Sequence, residues 1–242
     1  MIEFESFCFL QNHKTGCTLV ETFLRAHCSE DIVLYEKHWA PPARRSGKFH
    51  FVGVREPLDT YLSLFNYGLD GRGEIFLRLN AAGLGAFYEA GIDGFAEWLR
   101  HMLDPAVSAA LYPPGCAWMA SECGLLAARF LRLAIPGSQR GPGGDWASRL
   151  AGPDAVDAVL RYEALIPQLR DLVCGPLRHA FVNLDAALAW LASPPRVNAS
   201  QRRDRSCMPH VPAELRARLA ERERLLYDAF YPEQRPDRML SP

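Results

Sequence analysis

The chain has 242 residues, 49% of them hydrophobic, and its 27 Lys plus Arg nearly balance its 28 Asp plus Glu for a formal net charge of -1. That length and apolar content suffice to bury a full core and fall within the range of one α/β domain, so a single domain over residues 1–242 is expected. The near-neutral balance gives no global attraction to nucleic acid or to an anionic membrane; neither is expected as a partner, and any anion site must be local. No stretch approaches the roughly 18 continuous apolar residues of a membrane span, and the opening MIEFESFCFLQNHK lacks a basic region ahead of an apolar one, which predicts a cytoplasmic protein. The seven cysteines form no C-x-x-C pair, which argues against a disulfide framework or a zinc site, and no metal is expected.

In chain order, Ser6–Gln11 is short, aromatic and β-favouring, and it runs into the polar turn Asn12–Thr18. Leu19, Val20, Phe23 and Leu24 then recur with helical spacing, and that helix ends near His27–Ser29. Ile32–Tyr35 and Phe49–Val54 are further strands, and Pro57 opens a helix with Leu58, Tyr61, Leu62, Leu64 and Phe65 inward and Asp59, Thr60 and Ser63 on other faces. Ile92–Leu103 and Met119–Leu133 read as helices, Pro136–Asp145 as a glycine- and proline-rich exposed loop, and Val156–Tyr162 as a strand. Leu215, Leu219, Leu226 and Phe230 mark one long amphipathic helix. Tyr67, Phe76, Phe87, Tyr88 and Trp98 are candidates for the floor of an acceptor pocket or for core.

The segment His13-Lys14-Thr15-Gly16-Cys17-Thr18 sits between a strand and a helix. A tight turn there aims several backbone N–H groups at one point, which suits a phosphate or sulfate. Lys14 adds a positive charge, Thr15 and Thr18 add hydroxyl donors, and Gly16 lets the backbone approach the anion. A nucleoside-triphosphate loop would need G-x-x-x-x-G-K-[ST]; here the lysine precedes Gly16 and Gln11 stands at the first glycine position.

This segment resembles the 5′-phosphosulfate loop of the sulfotransferases that use 3′-phosphoadenosine 5′-phosphosulfate (PAPS), which reads P-K-[ST]-G-[TS]-[ST]. A second signature of that family is an arginine ending a central strand with a serine eight residues later, together gripping the 3′-phosphate; FVGVREPLDTYLSLFNYG supplies Arg55 and Ser63. Arg55 can offer a bidentate, charge-assisted contact and Ser63, about two helical turns on, a hydroxyl. Two residues depart from the pattern. His13 stands for the usual proline and Cys17 for a hydroxyl residue, so one side-chain donor is weakened.

The resemblance implies transfer of a sulfuryl group from PAPS to an acceptor hydroxyl or amine, with adenosine 3′,5′-bisphosphate (PAP) as product. Lys14 is the expected partner of the leaving phosphate, and His38 or Glu36, after the second strand candidate, the general base. KHWAPPARR resembles a K-H-x-x-x-R stretch in the carbohydrate-type members, which favours His38. Tyr162-Glu163 resembles a segment whose aromatic ring lies against adenine, and Val197–Arg203 a basic segment closing over the nucleotide through Arg202 and Arg203. The implied fold is a three-layer, P-loop-like α/β domain with a mainly parallel sheet flanked by helices, with the site at the C-terminal strand ends. The acceptor can be a small molecule, a saccharide or a peptide. The alternatives are a non-catalytic PAP-binding protein and, after it, a P-loop nucleotide kinase or hydrolase.

Overall fold

The computed structural model describes residues 1–138, 145–195 and 204–236. Among these, five strands form one sheet: β1 (Ile2–Glu3), β2 (Phe7–Leu10), β3 (Leu34–Tyr35), β4 (Phe49–Val54) and β5 (Ala158–Arg161), in the order β3-β1-β2-β4-β5. β1 pairs antiparallel with β2 and with β3, whereas β2 pairs parallel with β4 and β4 with β5. Four strands therefore share one direction and β1 opposes them, giving a mixed α/β fold with a mostly parallel sheet. β1 has only two residues, too few to show an alternation, and it meets β2 through a tight turn in which Phe4 N–H donates to the Phe7 carbonyl at 2.8 Å.

The described residues divide into two compact units. The first draws on Met1–Arg55, Phe130–Ser138 and residues 145–195, the second on Glu56–Arg129 and residues 204–236. The first unit holds the sheet. β2 is apolar throughout and buried on both faces, as a strand in the interior of a parallel sheet must be. Phe7 and Phe9, two apart, point to one face, where they join Phe51 in a cluster with Val20, Phe23 and Leu24 of the Cys17–His27 helix and Leu165, Leu169 and Val173 of the Leu165–Cys174 helix. The Phe9 and Phe51 rings stack at 4.9 Å. Asp157 ties β5 to β4: its carboxylate accepts from the His50 N–H at 2.7 Å and from Arg44 through both oxygens at 2.6 Å. Burial alone would raise the Asp157 pKa, but the Arg44 and His50 bonds outweigh it and hold the carboxyl below its ordinary range.

The second unit is helical. Its Pro57–Leu69 helix starts where the proline predicts, capped by the Glu56 carboxylate, which accepts from Leu58 N–H at 3.1 Å and Asp59 N–H at 2.6 Å. Thr60 is buried, contrary to the expected outward position, because its hydroxyl donates to the Glu56 carbonyl at 2.9 Å and hides its polarity in the helix. Trp98 is fully buried core and donates its indole N–H to the hydroxyl of the half-buried Tyr88 at 2.9 Å, while Phe65 stacks on Tyr88 at 5.3 Å.

Two helix expectations need correction. The segment from Met119 is a 3₁₀ turn over Ala117–Ser121 followed by a helix over Leu125–Ala134. The expected long C-terminal helix is two, Ala213–Arg222 and Arg224–Phe230. One residue explains both: Glu223 leaves the helical path and turns its carboxylate inward, where Leu126 N–H (3.1 Å), Ala127 N–H (2.8 Å) and the Tyr61 hydroxyl (2.7 Å) donate to it. A buried carboxylate thus caps the start of the 125–134 helix, and Gly124 leaves the space that a Cβ would take from it.

Candidate active site

The parallel registers Leu10↔Val52 and Val54↔Arg161 bring the C-terminal ends of β2, β4 and β5 to one edge. The residues that follow those strands are the loop 11–16, Arg55 and Tyr162. In parallel sheets this edge carries ligands.

Asn12 organises the loop. It is 8% exposed; its amide donates to the Gly53 carbonyl at 3.1 Å, its side-chain oxygen accepts from His13 N–H at 2.9 Å, and its backbone carbonyl accepts from the Thr15 hydroxyl at 3.0 Å. Lys14 adopts a left-handed backbone at φ 62°, and Gly16, at φ 81°, ends the turn as the N-cap of the Cys17–His27 helix. The chain can pass this close to β4 because Gly53 has no side chain: a Cβ there would lie 2.6 Å from the Thr15 hydroxyl. The loop is thus a built turn leading into a helix N-terminus, where partial positive charge accumulates.

Arg55 follows β4 and turns back over this loop. Its guanidinium donates to the Lys14 carbonyl at 3.2 Å and lies 4.3 Å above the ring of Tyr162. Tyr162 in turn packs against Gly16, where a Cβ would come within 3.3 Å of the ring and 2.5 Å of Leu165. Lys14, Gly16, Arg55 and Tyr162, which lie in three separate stretches of sequence, therefore form one cluster.

His38 and His13 form a second contact beside the loop, their rings stacked at 3.7 Å. His38 also has a left-handed backbone, at φ 60°, and its Nδ1 lies 2.9 Å from the Gln11 carbonyl. A carbonyl only accepts, so Nδ1 carries a proton in this contact. Glu36 is exposed on the outer part of the segment, its N–H donating to the Met1 carbonyl at 3.0 Å.

One side-chain reading changes. The Thr15 hydroxyl, read as a donor to an anion, is 2% exposed and committed to Asn12, so Thr15 can serve an anion through its backbone alone. Cys17 is 7% exposed and belongs to the apolar core, where burial pushes its thiol pKa up; it too has only its N–H to offer. The Tyr162 ring faces the Arg55 guanidinium. Thr18 is half-buried in the first helical turn. Ser63 is half-buried on the Pro57–Leu69 helix of the second unit, and Arg202 and Arg203 lie outside the described residues.

Sequence reasoning missed Gln11 and Asn12, whose buried polar groups hold His38 and the loop. The signal was a Gln-Asn pair directly after an apolar strand, where a side-chain amide can satisfy turn backbone. Among the described residues there is no group of three or more His, Cys, Asp or Glu side chains arranged to hold a metal ion, and no helix is long and apolar enough to cross a membrane. Compared with family models, with curated proteins and with solved structures, the chain matches none.

Proposed function

We propose that the chain is a PAPS-dependent sulfotransferase, with residues 1–242 as one three-layer, P-loop-like sulfotransferase domain. The observation that carries this reading is the hydrogen bond from Arg55 to the Lys14 carbonyl at 3.2 Å, because it joins the two sequence motifs that most resemble a phosphosulfate loop and a 3′-phosphate arginine. The left-handed backbones of Lys14 and His38 support it. They are the non-glycine residues with positive φ among those described, and they are the two chosen from sequence as the leaving-group cation and the base. Non-glycine residues persist in that conformation only where the surroundings impose it, and such residues cluster at working sites.

In the proposed reaction the 5′-phosphosulfate lies on the helix N-terminus after Gly16, held by backbone N–H groups and Lys14. The acceptor oxygen or nitrogen forms a bond to sulfur as the bond from sulfur to the bridging phosphate oxygen breaks. The electron pair of that bond leaves with PAP, and Lys14 neutralises the charge that develops there. The acceptor proton passes to His38 Nε2, whose ring is oriented by the Gln11 carbonyl and the His13 stack. Arg55 recognises the 3′-phosphate. The acceptor is a small molecule, a saccharide or a peptide.

The test is PAP release from PAPS in the presence of hydroxyl and amine acceptors, with and without magnesium. Release that needs Lys14 and not magnesium supports the proposal; magnesium-dependent ATP cleavage with no use of PAPS contradicts it. A second reading, a PAP-binding protein without turnover, is favoured by the inward Thr15 hydroxyl and the buried Cys17, which leave the loop with few side-chain donors. It predicts PAP binding and no release of PAP from PAPS with any acceptor.

A further inference from the structure

We infer that Tyr162 is a positioning residue for Arg55, and through Arg55 for discrimination of a 3′-phosphate, and that it does not serve as a platform for the adenine ring. The inference rests on the donor-site reading above and concerns how that site tells one nucleotide from another.

Both strands that carry the pair dictate the contact. Val54 and Arg161 are partners across the β4–β5 ladder, so Arg55 and Tyr162 are the next residues of two adjacent parallel strands and leave the sheet side by side. The guanidinium carbon sits 4.3 Å above the ring, within the range where the aromatic quadrupole attracts a cation. The ring therefore lies against the guanidinium. One guanidinium N–H donates to the Lys14 carbonyl at 3.2 Å. Ring contact and hydrogen bond together restrain the guanidinium, whose planar fork suits a bidentate grip on a phosphate.

Tyr162 is half-buried: the Arg55 guanidinium lies over its ring, and the ring packs against Gly16 and the core cluster that includes Leu165. Removing the ring therefore frees Arg55 to move, at the cost of 3′-phosphate recognition and not of adenine recognition.

The experiment is calorimetric titration of the full chain with PAP and with ADP, which lacks the 3′-phosphate, for wild type, Tyr162→Leu, Tyr162→Met, Arg55→Ala and the Arg55→Ala/Tyr162→Leu double variant. Two aliphatic variants are used so that circular dichroism can select one that is folded. The expected result is a loss of PAP affinity of about tenfold in the aliphatic variants, with ADP affinity little changed. The double variant is expected to bind PAP no more weakly than Arg55→Ala alone, since the ring acts through the arginine. Equal weakening of PAP and ADP, or losses that add in the double variant, would mean that Tyr162 stacks on the base and would overturn the inference while leaving the donor site standing. Unchanged PAP affinity without the ring would overturn it as well. A wild-type protein that does not prefer PAP to ADP removes the donor-site reading itself, and the inference with it.

Discussion

The hydroxyl of Tyr61 donates to the carboxylate of Glu223 at 2.7 Å, and both side chains are wholly buried. The mirror arrangement lies nearby in the same unit, where Tyr227 donates to Glu56 at 2.6 Å. Each glutamate also receives backbone N–H groups from a helix start, so each carboxyl serves a tyrosine and a helix together. Glu223→Ala leaves three buried donors without an acceptor and is expected to cost on the order of 3 kcal/mol, read from urea unfolding. Burial raises the Glu223 pKa above its unfolded value. A raised carboxyl contributes most below the unfolded pKa and loses that contribution as pH rises through the folded value. The stability advantage of wild type over Glu223→Gln, which is neutral at every pH, should therefore shrink as pH rises above the ordinary carboxyl range.

Lys14 supplies a second prediction through its backbone. Relief of a left-handed non-glycine conformation is worth about 1–2 kcal/mol, against an entropic cost of glycine of roughly 0.5–1 kcal/mol. Lys14→Gly should melt at or slightly above the wild-type temperature, while Lys14→Ala, which keeps the strain, gains nothing. Both should lose PAP formation. A thermal melt beside an activity assay reads the two effects, and a stable, active Lys14→Gly protein would separate the strain from the chemistry.

Gly53 lies under the loop, where a Cβ would meet the Thr15 hydroxyl at 2.6 Å and the Thr15 carbonyl at 3.2 Å. Gly53→Ala must push the loop outward and break the bond from Thr15 to Asn12, at a cost of about 1–3 kcal/mol. PAP affinity is expected to fall with it, because the N–H groups of the loop move together.

These local devices explain what the sequence made legible and what it did not. The strand–turn–helix at the start, β4 and the helix begun by Pro57 were readable because apolar runs and proline act locally. β1 was not, since two residues carry no period and are recruited only by the turn at Phe4. The break at Glu223 was equally hidden: in sequence it continues an amphipathic helix, and its burial depends on helix N–H groups about a hundred residues away. Within the site, Lys14, Gly16, Arg55 and His38 stood out by residue type and spacing. The inward turn of Thr15 did not, because it depends on Asn12 and on the closeness of Gly53.

His38 is expected to act through Nε2 while Nδ1 is held by Gln11. His38→Ala should lower PAP release from PAPS at least about a hundredfold and leave PAP binding in place, whereas Glu36→Gln should have a small effect, Glu36 being exposed. Near wild-type turnover in His38→Ala, with loss in Glu36→Gln, would exchange the two roles.

Recognition of PAPS by this chain is tested by calorimetric titration of the wild type with PAP and with ADP, repeated in Arg55→Ala. PAP is expected to bind more tightly than ADP, and Arg55→Ala to remove the difference. Equal affinity for the two nucleotides in the wild type, or no binding of either, would contradict that recognition.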